Sequence, residues 1–556
     1  MKKLLLFLFL MTVNILTAQE DAWVFFKDKP KAATFLENPL TMLSQRSLDR
    51  RNKQNLSVDV KDVPVDIDYY NELKEVPNLT ILAKSKWLNA VHVQATKEVI
   101  DELISNLTFV DYIEFANKSL NKSGKKTNKS IKPNHYNKFS EIKTEFDYGE
   151  TANQIQMLNG DFLHKEVNLT GQGAIIAVID AGFPNVNTLE AFKRLRDNNQ
   201  ILGGYDFVER NSNFYSGHNH GTNVLSTIGG FLENTFVGSA PDASFYLFRT
   251  EDAANEIPLE ESLWVEAAER ADSLGVDVIT SSLGYTTFDN PNYNYSYEDM
   301  DGKTTFISRG AEIGTTRGLL IVISAGNEGN SSWKYISAPA DANSVITVGA
   351  VNENGEIASF SSFGPTFDER IKPEILAQGQ GSAVINHTSG TVSSANGTSF
   401  SAPIMAGLIA CLNENEDFSL KFSNKNTAEN YTYHLKKAVY ESADRYDNPL
   451  DQYGYGIPNF ELAFDKYVSS TASVEDNFLS QLNIYPNPVA NTFTITNKSI
   501  DIKDYNIQIY NLLGKKVFDQ KKFKENTLNI SLLKSGIYLL KISKANQYKV
   551  VKLIKK

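Results

Sequence analysis

Four side chains in this sequence are of the right type to run acyl transfer. Ser399 stands in Gly397-Thr398-Ser399-Phe400-Ser401-Ala402-Pro403, ahead of an apolar run from Ala402 to Leu412. A helix that is apolar nearly all round belongs inside a core, and proline is tolerated near its start. A serine at the head of such a helix lies at the positive end of the dipole, where a developing oxyanion is stabilised. The same serine is equally readable as an ordinary N-cap. His220, in Gly217-His218-Asn219-His220-Gly221-Thr222-Asn223-Val224-Leu225, can take a serine proton and return it to a leaving amine. It can also be a loop histidine or half of a metal pair with His218. The two are two residues apart, so they share no helix face, and no His-Glu-x-x-His spacing or cysteine cluster supports zinc. Asp180 ends Val178-Ile179-Asp180-Ala181-Gly182, where it either orients an imidazole or caps a turn. Asn327, in Ser324-Ala325-Gly326-Asn327-Glu328-Gly329, either donates to an oxyanion or shapes a turn.

The elements around these residues give them a common frame. Ala174–Ile179, Leu319–Ile323 and Val345–Val348 are continuous apolar runs, and Leu259–Leu274 between them has a helical pattern. Buried strands alternating with helices predict a parallel α/β sheet, which places function at the carboxyl ends of its strands. Asp180 and Asn327 both follow such runs. Upstream, Ala90–Ala95 and Phe109–Glu114 read as strands and Lys97–Leu107 as a helix, a small α+β module. Residues 117–140 are rich in Asn, Lys, Ser and Gly and read as a flexible, protease-accessible linker. Beyond Ser469-Ser470-Thr471-Ala472-Ser473 the chain has only short strand patterns: Phe493–Thr496, Tyr505–Tyr510, Gly536–Ile542 and Tyr548–Ile554, with Leu513-Gly514-Lys515 as a turn. That predicts a small β-sandwich.

Length and charge bound the rest. A chain of 556 residues implies roughly two to four domains. A net charge of −11 without a long basic run argues against nucleic acid as the main partner. Met1-Lys2-Lys3, the apolar run Leu4–Met11 and Leu16-Thr17-Ala18-Gln19 have the features of a signal peptide, so the protein is expected to be exported. Cys411 is the single cysteine, which leaves stability to packing and makes Cys411 a core residue. The expected boundaries are 1–18 signal peptide, 19–143 N-terminal α+β module with linker, 144–467 α/β domain, 468–480 linker and 481–556 β-sandwich.

The order Asp180, His220, Ser399 is that of the subtilisin arrangement. The three motifs resemble those of the subtilases. Gly238-Ser239-Ala240-Pro241, Gly275–Ile279 with Ser282-Leu283-Gly284, Phe360–Pro365 and Lys372–Ile375 add lesser matches, over roughly residues 150–465. Three positions depart from the pattern. Ala181 stands in place of Thr or Ser, Asn223 in place of a second histidine, and Gln378 in place of a proline.

The resemblance implies a secreted serine endopeptidase acting on protein or peptide substrates. Ser399 is then the nucleophile, His220 the base, Asp180 its orienter and Asn327 the oxyanion donor. An extended substrate would lie between Ser282-Leu283-Gly284 and Ser324-Ala325-Gly326, whose small residues leave room for a bulky P1 side chain. The resemblance implies no cofactor. Many subtilases bind structural Ca²⁺, but no calcium-loop motif is legible here. Residues 19–143 stand where a subtilase propeptide stands, an intramolecular inhibitor that assists folding. Tyr485-Pro486-Asn487-Pro488, Leu513-Gly514-Lys515, Gly536-Ile537-Tyr538 and the basic end Lys552–Lys556 resemble a type A sorting domain of the type IX secretion system. This implies export in a Bacteroidota-type bacterium and a released or surface-attached enzyme. Two rival readings are an adhesin on an inactive subtilase scaffold and a protease dedicated to one partner protein.

Overall fold

The computed structural model describes residues 19–121, 146–414, 431–472, 482–497, 505–512, 514–523, 525–544 and 547–556. The expected signal peptide and Leu513 of the expected turn lie outside them, as do most of both expected linkers. At its centre is a seven-stranded parallel sheet. Its strand order is Ile375–Gln378, Ile346–Val351, Leu320–Ser324, Val278–Ser281, Ile175–Asp180, Ser244–Arg249, Ile201–Asp206. Every residue of Ile175–Asp180, Val278–Ser281 and Leu320–Ser324 is buried. This is why the first and third of these strands read as apolar runs, with helices on both faces of the sheet. One face carries Thr398–Asn413 and His220–Gly229, the other Leu259–Leu274 and Phe306–Thr316. Among the described residues no helix is long and apolar enough to cross a membrane.

The N-terminal module is a four-stranded antiparallel sheet in the order Thr80–Ser85, Ala90–Thr96, Gln19–Phe26, Val110–Phe115. The expected strands and helix are present. Sequence periodicity did not reveal the Gln19–Phe26 strand or the helices Gln45–Lys53 and Ile67–Lys74, which complete the module. The expected linker begins later than its composition suggests. Lys118–Leu120 is a 3-10 turn, and the Asn121 side chain is bonded to both backbone groups of Phe115, so these residues finish the module. Likewise the helix Phe460–Ala472 runs through the expected start of the second linker. The C-terminal module pairs a three-stranded antiparallel sheet with a four-stranded one, closed over Val489, Phe493, Ile507, Ile509, Leu540 and Leu553. It is the expected β-sandwich.

Candidate active site

Three adjacent strands deliver the site. Val278–Ser281 pairs on one side with Ile175–Asp180 and on the other with Leu320–Ser324. Their carboxyl ends therefore set Asp180, Ser282-Leu283-Gly284 and Ser324-Ala325-Gly326 side by side, with Asn327 one residue beyond. His220 opens the helix His220–Gly229. That helix start can sit on Asp180 because Gly221 has no side chain. A Cβ there would lie 2.5 Å from the Gly182 carbonyl oxygen and 3.0 Å from Asp180 Cβ. His220 Nδ1 and Asp180 Oδ1 are 2.8 Å apart, and the Ala181 backbone N–H also donates to Oδ1 at 2.7 Å.

Asp180 is 2% exposed, and its Oδ2 has no hydrogen-bond partner among the described residues. Ala181, which directly follows it, has no hydroxyl to offer. Burial lowers the proton affinity of His220. The Asp180 charge and hydrogen bond, with a weaker contribution from Glu251, outweigh that and hold the imidazole above its ordinary value. The imidazole therefore gives up its proton at a higher pH than an ordinary histidine does.

Ser399 lies in the first turn of the buried helix Thr398–Asn413, and Gly397 is the N-cap. The N-cap reading of this serine is thereby displaced. Gly397 has φ 151°, which a side chain would resist. The Phe400 ring, one residue on, lies 6.1 Å from the His220 ring, which brings the heads of the two helices together. Among the described residues no hydrogen bond joins Ser399 Oγ to His220, and such contacts often tighten only around bound substrate. Asn327 Oδ1 accepts from Thr398 N at 2.9 Å and Thr398 Oγ1 at 3.1 Å. That commits the amide oxygen and turns Nδ2 toward Gly397, where an added Cβ would be 3.6 Å away. Thr398 is thus a functional neighbour that residue types alone did not single out, although it sits inside the serine motif.

The structure brings together all ten residues singled out from the sequence. The Ser282 hydroxyl adds a contact of its own, donating to the Ser399 carbonyl at 2.9 Å. The room left by the glycines is partly taken. A Cβ on Gly284 would be 2.0 Å, and one on Gly326 3.3 Å, from Ser337 Oγ. Cys411 is buried on the helix that carries Ser399, where its sulfur lies 3.4 Å from the Ser239 carbonyl, and burial pushes the thiol well above its usual range. No group of three His, Cys, Asp or Glu among the described residues is placed to hold a metal ion.

The profile of the subtilase family matches residues 171–456. That of the peptidase S8 propeptide domain of Bacteroidota matches 21–133, and that of a secretion system C-terminal sorting domain matches 483–556. Subtilisin DY of Bacillus licheniformis is 31% identical over 245 residues, covering 44% of this chain and 77% of that protein. Subtilisin E of Bacillus subtilis (strain 168) is 31% identical over 266 residues, covering 46% of this chain and 60% of that protein. Subtilisin BL of Lederbergia lenta is 30% identical over 300 residues, covering 53% and 92%. The crystal structure of the epidermin leader peptide processing serine protease of Staphylococcus aureus shares the fold. It has a TM-score of 0.52 at 15% identity, covering 80% of this chain and 98% of that one.

Proposed function

The chain belongs to the subtilase family and is a subtilisin-like serine endopeptidase made with its own propeptide, and on that premise we propose that Ser399, His220 and Asp180 are its catalytic triad. Ser399 Oγ attacks the scissile carbonyl while His220 takes its proton, and His220 then returns that proton to the leaving amine. Water attacks the acyl-enzyme in the second half by the same route. Asp180 holds the imidazole through Nδ1 and stabilises its cation. Asn327 Nδ2 and the Ser399 backbone N–H receive the oxyanion, a role in which one donor is typically worth about 10²–10³ in rate. Substrate enters as an extended strand between Ser282-Leu283-Gly284 and Ser324-Ala325-Gly326. The reaction so described draws on protein groups alone, and structural Ca²⁺ would be bound elsewhere. The sorting domain marks the enzyme for secretion or cell-surface display by the type IX route.

The 2.8 Å contact between Asp180 and His220, opposite the head of the Ser399 helix, carries this reading. A serine-directed phosphonate should label the matured enzyme, and Ser399→Ala should abolish labelling without unfolding the chain. A folded, matured wild type that stays unlabelled would mark an inactive scaffold instead. Cleavage of a proteome-derived peptide library then separates broad digestion from a protease dedicated to one partner.

A further inference from the structure

Glu251 lies just past the strand Ser244–Arg249, where no triad motif falls. Its Oε1 accepts from the Tyr285 hydroxyl at 2.6 Å and from Thr250 Oγ1 at 3.0 Å. The Thr250 N–H donates to the Asp180 carbonyl at 3.1 Å. Tyr285 directly follows Ser282-Leu283-Gly284, and Ser282 Oγ donates to the Ser399 carbonyl. The result is a continuous run of contacts from one end of the site to the other: Asp180, Thr250, Glu251, Tyr285, the substrate-binding edge, Ser399. Tyr285 is 1% exposed, and its backbone N–H donates to the Ala338 carbonyl at 2.8 Å. The edge segment therefore leaves its strand between two fixed points. Without Glu251, the Tyr285 hydroxyl would be a buried donor lacking its partner, a state that proteins avoid.

We propose that Glu251 is a positioning residue, which through Tyr285 fixes the substrate-binding edge in register with the triad. This deepens the reading of the site as a subtilisin-type centre and rests on it. The acidic side chains around Glu251 (Asp180, Glu256 and Glu260) make it an unusual place for a carboxyl group, and burial holds its proton affinity well above the carboxylate range. A glutamate kept there is better explained by the hydrogen bond it accepts than by its charge.

The test uses matured enzyme from the full chain, with an extended hexapeptide and a small serine-directed phosphonate that does not engage the edge. Glu251→Ala should lower kcat/KM for the hexapeptide about tenfold to a hundredfold, the scale of a small misplacement. The loss should fall mainly in KM, while the phosphonate rate changes less than about threefold. Tyr285→Phe should reproduce this split, and the double variant should lose no more than the larger single loss. Glu251→Gln, which keeps an acceptor oxygen, should restore most of the hexapeptide activity. If Glu251→Ala fails to mature, Tyr285→Phe and Glu251→Gln still decide. Equal losses on both probes, additive losses, or no loss in Tyr285→Phe overturn the proposal. Failure of the wild type to take the phosphonate would instead overturn the triad reading.

Discussion

The prodomain and the sorting domain both rest against the peptidase body, but they are held by different physics. The prodomain sheet lies on the helices Leu259–Leu274 and Phe306–Thr316. Trp23 stacks on Phe306 with ring centroids 4.8 Å apart and donates from Nε1 to Ser262 at 2.8 Å. Glu269 takes the Ser85 hydroxyl at 2.6 Å and the Trp87 N–H at 2.9 Å. Beneath them Asp272, fully buried, takes Arg50 at 2.5 Å and Arg51 at 2.6 Å, and Arg51 also reaches Asp62 at 2.7 Å. Among the described residues, the contacts of the sorting domain are of another kind. Lys552 meets Asp465 at 3.2 Å with both side chains about two-fifths exposed, beside a small apolar patch of Phe162, Phe464, Leu512 and Leu539. A module that inhibits must stay bound after its peptide bond is cut, whereas a module read by secretion machinery must stay accessible to it.

Removing Asp272 should break this contrast hardest. Asp272→Ala leaves two guanidinium groups in a buried interface without their shared anion. Losing one partner of a buried ion pair costs about 3–5 kcal/mol. The prodomain docks on the helix that carries Asp272, so refolding yield of the full chain should collapse, as read by circular dichroism and by recovery of phosphonate labelling. Near-normal refolding would mean that the aromatic contacts alone hold the prodomain.

How much of this was legible in the sequence follows from distance along the chain. Asp180 and Asn327 could be placed because each follows an apolar strand, His220 and Ser399 because glycine-bearing turns open their helices, and the substrate edges through the family resemblance. The signals were local and carried by residue type. The Arg50–Asp272 pair spans 222 positions, and Arg50 reads in the sequence as one charge among several on a polar helix. Glu251 drew no reading from the sequence, because no local motif marks it and its partner Tyr285 comes 34 positions later. The Gln19–Phe26 strand escaped notice because both of its faces are covered, one by the prodomain core and one by the peptidase, so it shows no alternation.

The contrast is sharpened by cutting both joints in one molecule. In Ser399→Ala, sites for an exogenous protease inserted within residues 122–145 and 473–481 separate the three parts covalently without autoprocessing. On gel filtration the prodomain fragment should co-elute with the peptidase at micromolar concentration, and the sorting domain should elute apart. Co-elution of both fragments, or of neither, would remove the distinction drawn from the two interfaces.

The smallest expected effect concerns pH. Glu261 lies on the prodomain-facing helix, fully buried, accepting from Tyr295 at 2.7 Å. Burial pushes its carboxyl up to about 8, against which the Tyr295 hydrogen bond and Arg309 pull only weakly. Its folded pKa is raised, so the folded state holds a proton that the unfolded chain has already released. That contribution is complete below the ordinary carboxyl range and is lost progressively as pH rises from there to about 8. Thermal midpoints of the full chain should therefore fall between roughly pH 5 and pH 8, the window between the ordinary and the shifted value, and Glu261→Gln should flatten that fall by on the order of a few degrees. At about pH 4, where the carboxyl group is protonated in both states, the variant and the wild type should melt together. Arg309 joins Glu114 of the prodomain at 2.8 Å, close to this carboxyl group, so ionisation there would loosen the interface from the peptidase side. An unchanged slope in Glu261→Gln would show that the pH response arises elsewhere, and that the two interfaces differ in strength but not in pH dependence.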